Sequence, residues 1–170
     1  MSQTRTLTCL FIWLSLHTIC FGAENHQAVI VAEFVGSTPC DTGPRSFLTG
    51  AATNDTCVKI TWHLTLSTNE NALATYKLVA TYGMQAQSQP GFVNEGTTVQ
   101  LEGTWQIIKG AKSNPDAAVY EIQAEKPRRS LSFIKMGDNL LHLLNDDKSL
   151  MVGNDLWSYT LNRKGVGMDH

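Results

Sequence analysis

Apolar and polar side chains alternate along most of this chain with a period of two. The segment CVKITWHLTLS, residues 57–67, puts Val58, Ile60, Trp62, Leu64 and Leu66 on one face and Lys59, Thr61, His63, Thr65 and Ser67 on the other. Successive side chains of a strand point to opposite faces, so the pattern predicts a strand with one face on a core and one in water, as in antiparallel sheets. After the turn signal STNENA, LATYKLVATYG repeats the alternation with Tyr76, Leu78, Ala80 and Tyr82 on one face, so the two segments predict a hairpin. TTVQLEGTWQIIKG then sets Val99, Leu101, Gly103, Trp105 and Ile107 against Gln100, Glu102, Thr104 and Gln106. A glycine inside such a run predicts a bulge or a close backbone approach at Gly103.

Shorter runs complete the pattern. AVIVAEFVG comes first, and AAVYEIQAE, LSFIKMG, NLLHLLN, SLMVG and LWSYTLNRK follow, separated by turn chemistry at Pro127, Gly137-Asp138-Asn139, Asn145-Asp146-Asp147 and Gly153-Asn154-Asp155. NLLHLL also fits a short helix; no amphipathic helix is expected elsewhere. About eight short strands with hairpin-length connections predict an all-β antiparallel domain, closed as a barrel or folded as a sandwich, because closure removes exposed edges. Inward Trp62, Tyr76, Trp105 and Phe133 are candidates to line a cup for one small ligand; packing of the interior is their expected use, since barrels of this size are often filled by side chains.

The N-terminus changes the picture of where the chain goes. Arg5 precedes an apolar run from Leu7 to about Phe21, and no acid appears before Glu24. That is the pattern of a secretory signal peptide, residues 1–22, followed by a single domain, 23–170. The run is too short and too often interrupted, by Ser15, His17 and Thr18, for a membrane span of about 20 residues, so no transmembrane span is expected in the mature chain. His17-Thr18-Ile19 before Cys20 is a poor lipobox, and a soluble exported protein is expected rather than one lipidated at Cys20. Cleavage would remove Arg5 and no acid, leaving 12 basic against 15 acidic side chains, a net charge of −3. Nucleic-acid binding needs a basic footprint, and none is present; KPRR, residues 126–129, reads as a solvated turn.

Two cysteines remain after cleavage, Cys40 and Cys57, with 16 residues between them. In an exported protein oxidation is their default fate, and a disulfide closing this loop would stabilise by about 3 kcal/mol. The alternative is a reduced thiolate pair binding a soft metal such as Cu(I). The histidines form no His-x-His or Glu-x-x-His cluster, and the three or four convergent ligands that zinc needs are not spaced for it. His63 falls on a polar face and His142 interrupts an apolar run, where a satisfied, half-buried ring is expected. Gly-x-Ser-x-Gly elbows, phosphate-cradling glycine loops and nucleophile–base pairs are missing, so no enzymatic activity is expected. Asp146-Asp147 reads as a solvated pair in a turn.

Several segments, taken in order, resemble one family. EFVGSTPC, then CVKITWHLTLSTN and ATYKLVATYG, resemble the opening of the N-terminal domain of the NlpE family, bacterial envelope proteins linked to copper resistance. Gly36, Pro39 and Cys40 fit its first element, Cys57, Ile60, Leu64 and Leu66 its second, and Tyr76 and Leu78 its third. EGTWQIIKG, VYEIQ, NLLHLLNDDKSLM and YTLNR are similar to its later strands, so the likeness covers residues 29–163. The chain departs from the family at two points. The family's cysteines form Cys-x-x-Cys, whereas these stand far apart in sequence, and the lipobox common in the family is missing. The resemblance implies a small lipocalin-like barrel in the periplasm or cell envelope, acting in copper resistance or envelope-stress sensing, with an envelope protein as partner; a carrier of a small hydrophobic ligand is the alternative. No resident cofactor is expected; copper would enter only at a reduced Cys40–Cys57 pair.

Overall fold

The computed structural model describes residues 29–49, 56–69, 73–87, 90–125 and 128–165. The expected signal peptide therefore lies outside the described residues, as do His26 and His170. Eight strands follow one another: β1 (Val29–Pro39), β2 (Lys59–Thr68), β3 (Ala74–Gly83), β4 (Thr97–Ala111), β5 (Asn114–Ala124), β6 (Arg129–Met136), β7 (Leu140–Leu143) and β8 (Thr160–Arg163). Each pairs antiparallel with the next, and β8 returns to β1 through Phe34↔Arg163 and Val35↔Asn162, closing the barrel. The all-β antiparallel architecture expected from the alternation is thus present as an up-and-down barrel, in keeping with the small lipocalin-like barrel that the resemblance implies.

In β2 and β3 the alternating positions fall where the period of two puts them, whereas Val58 precedes β2 and Ile107 of β4, placed on the inward face by the same pattern, is exposed. Ile60, Trp62, Leu64 and Leu66 of β2 and Tyr76, Leu78, Ala80 and Tyr82 of β3 are all buried in one interior cluster, facing Ile122, Leu131, Phe133, Leu141, Leu143 and Leu161 across the barrel. Lys59, Thr61, His63 and Thr65 lie on the outer face. Polar-out, apolar-in packing is the reverse of a barrel that faces lipid. Among the described residues no helix is long and apolar enough to cross a membrane.

Gly103 is a site of close approach. A Cβ there would lie 2.1 Å from the Gln123 carbonyl oxygen and 2.9 Å from Tyr76 Cε1. The β4–β5 ladder and the Tyr76 ring occupy the space that a side chain would need. Gly36 does the same for closure, since its Cβ would meet Leu161 Cδ2 and the Thr160 carbonyl oxygen at 2.8 Å each.

Three expectations need correction. SLMVG is not a strand: it contributes one bridge, Leu144↔Leu150. LWSYTLNRK is extended only from Thr160, because the Asn154 side-chain oxygen accepts from the amides of Leu156 and Trp157, at 3.0 and 2.9 Å, and winds that stretch into a turn. NLLHLL, by contrast, is strand as expected, over Leu140–Leu143, with Leu141 and Leu143 inward. The third correction is a helix, α1 (Thr42–Thr49), inside a stretch that looks like pure turn. Gly43 and Pro44 suggest a loop, yet Pro44 sits in the first turn, where its missing N–H is not needed.

A second, smaller apolar cluster lies outside the barrel. Val119 and Ile134, paired across β5 and β6, are buried with Ala111 and Leu144. The segment after β7 passes over them: the Lys112 amide donates to the Lys148 carbonyl at 2.9 Å. Lys148 adopts φ 62° there and drops its ammonium onto Glu121 (3.1 Å) and Ser132 (2.6 Å). Gln106 and Gln123 donate to the other Glu121 oxygen at 3.0 and 2.9 Å. Partial burial works to raise the Glu121 pKa, but the hydrogen bonds from Gln123, Gln106 and Lys148 outweigh it and hold the carboxyl below its usual value.

Candidate functional site at the helix-covered end of the barrel

Cys40 and Cys57 are joined by a disulfide, with their Cα atoms 5.7 Å apart. The bond sits one step past the last β1–β2 pair, Pro39↔Lys59, where the Cys40 amide also donates to the Val58 carbonyl at 3.2 Å. It therefore fixes both ends of the segment that carries α1. In this bonded state neither sulfur is a thiolate, so the metal reading of the pair applies only to a reduced chain. Among the described residues, no group of three or more His, Cys, Asp and Glu side chains stands where it could hold a metal ion.

α1 buries Pro44, Phe47 and Leu48, and the last two join the main interior cluster. Both ends of the helix are tied to the barrel. At its start, the Asp41 carbonyl accepts from the Arg45 amide at 3.1 Å, while the Asp41 carboxylate accepts a hydrogen bond from the Tyr159 hydroxyl. Burial, reinforced by that bond and by the Asp41 charge, pushes the Tyr159 phenol well above its ordinary pKa. In the last turn, Arg129 Nη1 donates to the Ser46 carbonyl at 2.9 Å, one of the carbonyls a helix end leaves unpaired. The Arg129 guanidinium lies 5.8 Å from the centre of the Phe47 ring. Arg129 is thus not part of a solvated turn, as KPRR suggested, but an inward residue of β6 that holds a helix.

Beside α1 opens a cleft of about 940 Å³, lined by Asp41, Pro44, Phe47, Arg129, Leu131 and Met151 together with Asp146 and Asp147. Asp147 is exposed and paired with Lys112 at 2.9 Å. Hydrogen bonds from Lys112 and Ser149 hold its carboxyl far below the usual carboxylate range.

The four aromatic cup candidates do not converge on one cavity. Trp62 is buried, and its indole N–H donates to Thr38 Oγ1 at 2.9 Å; Thr38 in turn donates to the Pro39 carbonyl at 3.0 Å. Phe133 is fully buried in the same cluster. Trp105 is half-buried, stacks on Tyr120 at 5.6 Å and donates to the Ser67 carbonyl at 3.0 Å. It borders a surface cleft of about 290 Å³. Tyr76 borders a different one, of about 530 Å³. It is 3 % exposed, and its hydroxyl has no hydrogen-bond partner among the described residues. His142 is half-buried between Thr160 (3.0 Å) and the Met151 carbonyl (2.8 Å), and His63 stands 3.4 Å from Glu33 on the outer face.

Sequence reasoning missed Arg129 and α1. The signal for Arg129 was its spacing, two residues before Leu131 and four before Phe133, which puts it on the inward face. Comparison with protein-family models, with characterised proteins and with solved structures returns no match to this chain.

Proposed function

We propose that this chain is an exported, non-enzymatic envelope protein of the NlpE-like type, acting in copper resistance or envelope-stress sensing through a protein partner. One observation carries the reading most. The segments that resemble the family fall in order on β1–β5, β7 and β8 of one closed barrel, and the positions carried over lie in the interior or at its stapled rim. Ile60, Leu64 and Leu66 face inward from β2 and Tyr76 and Leu78 from β3, while Cys40 and Cys57 are bonded where the family's cysteines stand close together. Export is supported by the N-terminal pattern and by the disulfide, a bond that persists in oxidising compartments.

The test is titration of the purified exported protein with Cu(I) and Cu(II), as isolated and after reduction. Saturable micromolar binding of Cu(I) by the reduced form, lost in Cys40→Ser, is the outcome expected of copper handling. No binding in either form removes the metal branch and leaves stress sensing, which loss of the copper or envelope-stress phenotype on deleting the gene would support and an unchanged phenotype would remove. The second reading, a carrier of a small hydrophobic ligand, is favoured by the unpartnered Tyr76 hydroxyl and opposed by the packing of Trp62 and Phe133. A ligand-free native mass spectrum of protein isolated from cells, with no uptake of an apolar probe, counts against it.

A further inference from the structure

We draw no further inference here: the strongest candidate, the acidic cleft beside α1 that Asp41, Asp146 and Asp147 line together with Arg129, carries no second feature among the described residues that points to a ligand.

Discussion

Breaking the Cys40–Cys57 bond should cost the barrel stability but not its fold, and should release α1 before any strand. The two residues are 17 apart in sequence. On the chain-entropy model a loop of that size constrains the unfolded chain by about 3 kcal/mol. The native ladder does not need the bond, because Pro39↔Lys59 and the Cys40 amide bond to Val58 already close the same end of β1 and β2. α1 is in a different position. It has eight residues, and isolated helices shorter than about 12–15 residues are marginal in water. Its helical state rests on burying Phe47 and Leu48, on Arg129 and on the tether. In Cys40→Ala/Cys57→Ala, urea unfolding followed by tryptophan fluorescence should give a loss of about 3 kcal/mol. With a slope of about 1–3 kcal/mol/M, the midpoint falls by about 1–3 M. Hydrogen exchange under native conditions should show residues 42–49 losing protection while β2 and β3 keep theirs. A loss below about 1 kcal/mol, or loss of protection in β2 and β3 together with α1, would refute the reasoning.

Other perturbations separate the remaining contributions. Gly103→Ala places a methyl against backbone that cannot move without breaking the β4–β5 ladder, so a loss of at least about 3 kcal/mol is expected in thermal or urea unfolding, at or above the upper end of ordinary overpacking costs; a change below about 0.5 kcal/mol would mean that the strands can part there. Lys148→Asn keeps a residue that accepts positive φ and removes the ammonium from Glu121 and Ser132. A loss of about 1–2 kcal/mol is expected at pH 7. It should shrink in acid, because a lowered carboxyl pKa contributes stability above the unfolded value and loses it as pH falls through the folded one. Equal losses at pH 7 and pH 3 would contradict the Glu121 assignment. In alkali the sign reverses for Tyr76. Its pKa is raised from 10.0 to about 12, so its contribution is complete below the first value and gone once pH passes the second. Wild-type stability should fall across that window, and Tyr76→Phe should make the fall shallower, as pH-dependent unfolding would reveal.

The fold was legible wherever one face of a strand meets water and the other the core. β2 and β3 are the clearest cases, because their outward positions, Val79 apart, are polar or small and their inward ones all large or apolar. Legibility weakens where a strand is covered on both sides. In β6, Leu131, Ser132, Phe133 and Ile134 are all buried, the two-sided burial that removes alternation from a sequence. There the cover is the segment after β7, whose path is set by the Lys148 ammonium and by backbone bonds that no periodicity encodes. α1 was hidden for a related reason. Its residues are turn formers, and what makes them helical is a staple, a buried Phe47 and an arginine 83 residues away. The disulfide was readable from compartment and spacing, whereas the helix it tethers was not.

Two buried tyrosines show where the interior departs from pure packing. Tyr159 and Tyr76 both place a phenol in low-dielectric surroundings, and in both the proton is held more tightly as a result. Tyr159 is accounted for: it donates to Asp41 and ties the approach to β8 to the start of α1. Tyr76 has no such partner, and an unsatisfied buried hydroxyl costs roughly 1–3 kcal/mol. A phenylalanine would fill the same space over Gly103 without that cost. The neighbouring groups sharpen the contrast, because the row that runs from Tyr76 over Gly103 and Ala124 ends on Arg129, whose buried Nε has no acceptor among the described residues. Hydrophobic burial explains the ring of Tyr76 and the stem of Arg129, but not their polar atoms. Among the described residues neither atom has an acceptor.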